Sequence, residues 1–154
     1  RFRTALPTTP LTLQALPDLA DPVVLFEFVR TRFSATPSAL DRIADCVSNE
    51  RVVAVASTAP WSPTILETLP LVQLFQDGTE VARHQGAHPA APLLPLLAAW
   101  QARCAAAGLT IAAGEIVTLG TLTGVLPVPS EGAQYLGRID GLPPVRCRVR
   151  AVPA

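Results

Sequence analysis

The segment from Gly114 to Val128 (GEIVTLGTLTGVLPV) carries the residue types in this chain that are best suited to hold a small anion. Gly120 and Gly124 flank a Thr-Leu-Thr triplet, so backbone N–H groups and the hydroxyls of Thr121 and Thr123 can face one point in space. Such an array suits a carboxylate or an oxyanion. The pattern predicts a loop, a short strand, a Gly/Thr-rich turn and a second extended run. The same hydroxyls could instead satisfy backbone groups of the turn, and both interpretations stay open.

Three further side chains could exchange a proton with a ligand, namely Glu27, His84 and His88. Glu27 lies on a predicted strand, where it could point into a site or pair with Arg30 or Arg32, and we expect the ion pair. The two histidines are four residues apart across the exit of a predicted hairpin. A two-histidine metal site needs a third ligand that the sequence does not supply, so surface or turn positions are expected for both.

The composition describes one folded domain with few specialised features. The chain has 154 residues, 49% of them apolar and 16% charged, which argues against disorder. The net charge of zero gives no indication of nucleic acid as a partner. All 12 basic residues are arginine, which excludes lysine Schiff-base chemistry.

Cysteine usage and hydropathy also limit the possible classes of protein. Three widely spaced cysteines argue against a disulfide framework or a zinc site. No apolar run approaches the roughly 18 residues of a membrane span. We therefore expect a cytoplasmic protein without membrane or nucleic-acid partners.

Most of the secondary structure predicted around these side chains consists of β-strands. Residues 1–20, rich in Pro, Thr and Leu, are predicted to be an extended lead-in or linker. Asp77-Gly78 between two extended runs favours a tight hairpin turn, and Asp140-Gly141 marks a second hairpin. Strands are predicted over residues 22–29, 51–57, 69–76, 79–85, 134–139 and 144–152.

Two helices are predicted. The main one, over residues 92–107, has a C-terminal cap at Gly108 and an apolar stripe formed by Leu93, Leu96, Leu97, Trp100 and Cys104. A shorter helix is predicted within residues 36–45. Ser38 is its candidate N-terminal cap, and Leu40, Ile43 and Ala44 fall on one face. The expected fold class is therefore α+β, with one substantial helix on mostly antiparallel strands.

The order of these motifs resembles the C-terminal part of the fumarylacetoacetate hydrolase superfamily, nearest to the 2-oxopent-4-enoate hydratases and 4-oxalocrotonate decarboxylases. The resemblance covers about residues 69–150 and implies a mixed β-roll with one main helix. It assigns residues 21–154 to a hydratase-like domain, shortened between residues 30 and 44. The matching motifs are FQDGTEVA from Phe75, His88-Pro89, AAGLTIAAGEIV from Ala106, GTLTG from Gly120, DGLPPV from Asp140 and, more loosely, DCVSN from Asp45.

The resemblance also implies a chemistry and a set of ligands. Family members hold Mg²⁺ or Mn²⁺ with three carboxylates, and the metal stabilises the enolate of a 2-oxo acid. The two strand carboxylates fall here on Val23 and Leu25, or on Asp21 and Val23, so at least one position cannot bind a metal. No cofactor is therefore expected, with Mg²⁺ or Mn²⁺ required only if the family mechanism is retained. Thr121 and Thr123, with Gly120 and Gly124, occupy the place where the family binds the substrate carboxylate.

Three hypotheses about function remain at this point. The first is a divergent hydratase-like lyase acting on a small 2-oxo or enolisable acid. The second is a non-catalytic relative that has lost its metal centre and binds a small acid or partners an active homologue, and the resemblance implies a homo-oligomer or a homologous subunit. The third is a metal-independent biosynthetic enzyme that uses Glu27, His84 or His88 as its acid–base group.

Overall fold

The computed structural model describes residues 1–6, 9 and 11–150, and these form an α+β fold with two antiparallel sheets. The predicted fold class is confirmed at this level. The strands are β1 (Val23–Val29), β2 (Asn49–Ala56), β3 (Leu69–Gln76), β4 (Thr79–Gly86), β5 (Gly132–Ile139) and β6 (Val145–Arg150). The α-helices are α1 (Leu16–Leu19), α2 (Ala39–Ala44) and α3 (Leu93–Ala106), and short 3₁₀ turns lie at Cys46–Ser48 and Pro63–Leu66.

The larger sheet has the strand order β4-β3-β5-β6, so β4 and β6 are its edges. β3 and β4 form the predicted hairpin, with Asp77 at φ 48° and Gly78 at φ 84°. Two consecutive positive φ values are typical of a primed turn, which explains the Asp-Gly pair. The second predicted hairpin is also present as β5 and β6.

The faces of the larger sheet follow the alternation of the sequence. On β6, Val145, Cys147 and Val149 point inward, and Val145 has no exposed surface. Arg146 and Arg148 on the same strand are exposed, as expected for a solvated face.

The smaller sheet pairs β1 with β2 and packs across β5 of the larger one. The ring of Phe26 lies over Gly137, where an added Cβ would stand 3.1 Å from Phe26 Cζ and 3.0 Å from Val145 Cγ1. The absence of a side chain at Gly137 therefore allows the two layers to approach closely.

Helix α3 forms where predicted and is followed by Gly108 at φ 68°, but its buried face differs from the predicted stripe. Leu93 and Leu97 are buried, whereas Leu96 is 47% exposed. Gln101 takes a buried position because its side chain accepts a hydrogen bond from the N–H of Leu11 and donates one to the carbonyl of Thr9. Apolar spacing alone could not show that a glutamine would belong to the core face.

The prediction that residues 1–20 form an extended lead-in or linker is wrong, because several of the described residues in this segment are buried in the core. Phe2, Leu11 and Leu16 are buried, and Leu11 and Leu16 share a core cluster with Leu97. Phe2 also stacks on Trp100, with ring centroids 6.3 Å apart. A Pro-rich segment can pack without periodic structure, and periodicity was the signal on which the linker prediction relied.

Helix α2 has the predicted cap, since the Ser38 hydroxyl accepts from the Asp41 N–H and the Asp41 carboxylate accepts from the Ser38 N–H. Its predicted apolar face is not buried, because Leu40 and Ile43 are exposed. No helix in the described residues is long and apolar enough to cross a membrane.

Candidate functional site

A cavity of about 840 Å³ lies between the two sheets. β1 and the inward faces of β3 and β5 form its walls, and residues 117–128 line it as well. A volume of this size is typical of sites for small-molecule ligands. The cavity therefore brings the Gly120–Gly124 turn and β1 to one space.

The Gly/Thr segment runs along this cavity as irregular chain. The short strand predicted within residues 114–128 is wrong, because residues 107–131, all of them described, contain no strand. Leu119 packs against the core cluster of α3, and Leu126 packs against the cluster of the larger sheet. These contacts on either side of the Gly120–Gly124 turn position the segment along the cavity without a partner strand.

The two threonines of the segment have different surroundings. The Thr121 hydroxyl donates to the carbonyl of Gly124 over 3.2 Å, which is the turn-satisfying role. Thr123 lines the cavity, and its hydroxyl has no hydrogen-bond partner among the residues that the structure describes. Gly120 and Gly124 adopt φ 105° and 73°, which explains why glycine stands on both sides of the triplet.

His88 is buried against this segment, and an added Cβ at Gly120 would lie 3.9 Å from its Cε1. Its Nδ1 accepts from the Ala90 N–H over 2.9 Å, so the neutral ring carries its proton on Nε2. Burial lowers the pKa of His88 from its ordinary value of 6.5, and the nearby His84 lowers it further. His88 is therefore a neutral donor at pH 7, and its Nε2 has no partner within the described chain.

The other two acid–base candidates are differently engaged. His84 Nε2 lies 3.0 Å from the carbonyl of Ala87, which is the predicted turn role. Glu27 lines the cavity but is exposed, and it accepts from Asn49 Nδ2 over 2.6 Å. The predicted pairing of Glu27 with an arginine is wrong, because Arg30 bonds to Glu50 and Arg32 to Asp45, each over 2.6 Å.

The family's metal positions carry no free ligands here. Val23 and Leu25 contribute aliphatic surface to the cavity wall. Asp21 is buried, with its carboxylate 3.1 Å from Arg1 Nη2 and 3.5 Å from Arg3 Nε. No group of three His, Cys, Asp or Glu side chains that could hold a metal ion is present within residues 1–6, 9 and 11–150. This donor set does not fit Mg²⁺ or Mn²⁺, which need several oxygen ligands.

Sequence reasoning missed Tyr135, which lies on β5 and lines the same cavity. Its residue surface is 8% exposed, and its hydroxyl is buried without a hydrogen-bond partner. The ring meets Phe26 edge-on, with centroids 6.2 Å apart. The available signal was the single tyrosine of the chain at an inward position of an alternating strand, but it could not show that the hydroxyl lacks a partner.

Neither a family model nor a curated protein matches this chain. The class of protein is therefore described by the fold and the cavity alone. It is an α+β domain with a largely apolar cavity between its sheets, and the residues that line the cavity include three neutral hydrogen-bond donors, His88, Thr123 and Tyr135.

Proposed function

We propose that this chain is a non-catalytic, hydratase-like domain that binds a carboxylic acid with an apolar body in the cavity between its sheets. The proposal includes that this fold is related to the β-roll of the fumarylacetoacetate hydrolase superfamily. The observation that supports it best is a cavity of about 840 Å³ with aliphatic side chains at the expected metal positions and unpartnered neutral donors at the expected carboxylate site.

The donors suit the carboxylate end of such a ligand. His88 Nε2–H and the Thr123 hydroxyl can each donate to a carboxylate oxygen, and charge-assisted hydrogen bonds of this kind are stronger than neutral ones. His88 lies against Gly120 in the same segment as Thr123, so both belong to one part of the cavity. Because Nδ1 is occupied by the Ala90 N–H, the neutral ring acts as a donor and does not act as a base.

Aliphatic residues at the family's metal positions favour binding over lyase chemistry. Val23 and Leu25 offer dispersion contacts to an apolar ligand and no charge to stabilise an enolate. Asp21 is held between two arginines, and releasing it for a metal would leave their charges unpaired. The ligand's apolar body would lie where the family places its metal.

Fluorescence titration with dansylaminoundecanoate, a probe with a carboxylate and an apolar chain, tests this function. We expect a saturable rise in emission that dodecanoate reverses by competition. Thr123→Val should weaken probe binding by roughly threefold to tenfold, the range of one lost hydrogen bond. Thr79→Val, at an exposed position on β4 outside the cavity, is the matched control and should leave the affinity unchanged.

Two results would contradict the proposal. Absence of saturable binding by the folded protein would exclude the cavity as an acid site. Equal affinities of the wild-type protein and Thr123→Val would remove the Gly/Thr segment from that site.

A further inference from the structure

The Tyr135 hydroxyl has no role in the binding just described. Tyr135 lines the cavity, its hydroxyl is enclosed by Phe26, Leu126 and other apolar side chains, and no group in the described chain bonds to it. Buried polar groups are nearly always hydrogen-bonded, so an exception on a residue that lines a cavity points to a partner that enters from the cavity. The unmet hydrogen bond costs folding free energy that a ligand oxygen would recover.

Tyr135 and His88 lie toward opposite ends of the cavity. Tyr135 pairs with Gln76, next to the turn between β3 and β4. His88 follows β4, whose last residue, Gly86, pairs with Leu69 at the other end of β3. Seven residue steps separate Leu69 from Gln76, and a strand rises about 3.3 Å per residue, so the two ends are roughly 20 Å apart.

The wall between these two ends is mostly apolar, although Gln73 and Arg138 also contribute to it. Leu69, Val72 and Leu74 line it from β3, and the irregular segment follows it from Leu119 to Leu126. A ligand that reaches both polar ends therefore needs an extended apolar chain. A two- to six-carbon acid would occupy only one end.

The surroundings of Tyr135 determine the chemistry of the far group. The side chains that pack against its cluster, including Phe26, Leu126, Cys147 and Val149, carry no charge. Burial raises the pKa of Tyr135, and the charge of Asp77 raises it further, so the hydroxyl stays protonated and donates. A second carboxylate at this end would lie among these uncharged side chains and within the influence of the charge of Asp77, whereas a neutral oxygen acceptor would carry no charge to bury.

We propose that Tyr135 donates a hydrogen bond to a neutral oxygen, a hydroxyl or a ketone, at the distal end of a long-chain carboxylic acid whose carboxylate lies beside His88 and Thr123. This inference rests on the proposed function, since it needs the cavity to bind an acid. It narrows the ligand class from apolar acids in general to elongated acids oxygenated far from the carboxylate.

Competition against the dansyl probe tests the inference with pairs of acids that differ only at the distal end. The pairs are saturated acids from decanoate to hexadecanoate and their ω-hydroxy derivatives, measured on the wild-type protein and on Tyr135→Phe. The wild type should bind the ω-hydroxy acid of best-fitting length roughly threefold to tenfold more tightly than its parent acid. Tyr135→Phe should bind both members equally, with the parent acid unchanged, because phenylalanine keeps the ring and removes the donor.

The outcomes separate the two proposals. If wild type binds neither acid, the proposed function fails. If it binds both equally at every chain length, or if Tyr135→Phe keeps the preference, only the role of Tyr135 is overturned. The α,ω-dicarboxylate should bind more weakly than the ω-hydroxy acid, and a tighter dicarboxylate would overturn the neutrality of the distal group.

Discussion

The two ends of the cavity differ in how far the protein itself satisfies their polar groups. At the His88 end, a backbone N–H occupies one ring nitrogen and leaves the other as a donor in a defined direction. At the Tyr135 end, packing alone places the hydroxyl, and no described group bonds to it. The first end is organised before a ligand arrives, whereas the second carries an unmet hydrogen bond. Variants that disturb one end and spare the other test this difference.

The largest effect is expected at Leu93, which begins α3 near the His88 end and is 2% exposed. Leu93→Ala should lower the free energy of unfolding by about 2–5 kcal/mol, since it removes buried contacts and enlarges the cavity. Leu96→Ala, on the exposed side of the same helix, is the matched control and should change it by less than about 0.5 kcal/mol. Urea denaturation measures both, and equal losses would mean that the predicted stripe, with Leu96 buried, describes α3 better.

At the other end, Gly137→Ala should lower the free energy of unfolding by about 1–3 kcal/mol. The new methyl group would stand 3.0 Å from Val145 Cγ1 and 3.1 Å from Phe26 Cζ, so one of the two layers must shift. Gln134→Ala, exposed on the same strand, is the control. Thermal unfolding gives the measurement, and an unchanged midpoint for Gly137→Ala would show that β1 does not pack on β5 as described.

Tyr135→Phe should leave the ligand-free protein as stable as the wild type, or more stable by up to about 1 kcal/mol. Removing a buried hydroxyl that has no partner costs no hydrogen bond. Urea denaturation of the ligand-free protein checks this expectation. A loss above about 1 kcal/mol would mean that the hydroxyl is bonded in the folded protein, and the contrast between the two ends would disappear.

The smallest effect is the pH dependence that His88 contributes. Its folded pKa lies below 6.5, so its contribution to stability is present above about pH 6.5 and is lost as the pH falls through the folded value. The wild type should therefore lose stability between pH 8 and pH 5 more steeply than His88→Gln does. His84→Gln should reduce the slope only in part, because burial is the larger cause of the lowered pKa. Identical slopes for the wild type and His88→Gln would place His88 in solvent.

The regular elements were predictable because their signals are local. Asp77-Gly78 supplies the two positive φ values of its turn, and the alternation from Val145 to Val149 marks the inward side of β6. Ser38 likewise indicated the start of α2. In each case the deciding interaction lies within a few residues along the chain.

The site was only partly predictable. Thr123 and His88 were named from residue type and spacing, and both line the cavity. Whichever alignment holds, on Val23 and Leu25 or on Asp21 and Val23, at least one of the two positions carries an aliphatic side chain that cannot bind a metal, and the sequence alone shows this. The partners of Glu27 and Thr121 were not predictable as single choices, because several acceptors and donors were equally near in sequence.

The hairpins, the capped helices and the types of side chain available for binding could be inferred from the sequence, because backbone preferences and alternation act over short distances. Three features became visible only in the folded chain: the N-terminal segment belongs to the core, residues 117–128 run as irregular chain along a cavity, and Tyr135 has no partner in the described chain. Each of these depends on which distant surfaces meet, as when Phe26 of β1 packs over Gly137 of β5. Such contacts join residues about a hundred positions apart, and no local pattern records them.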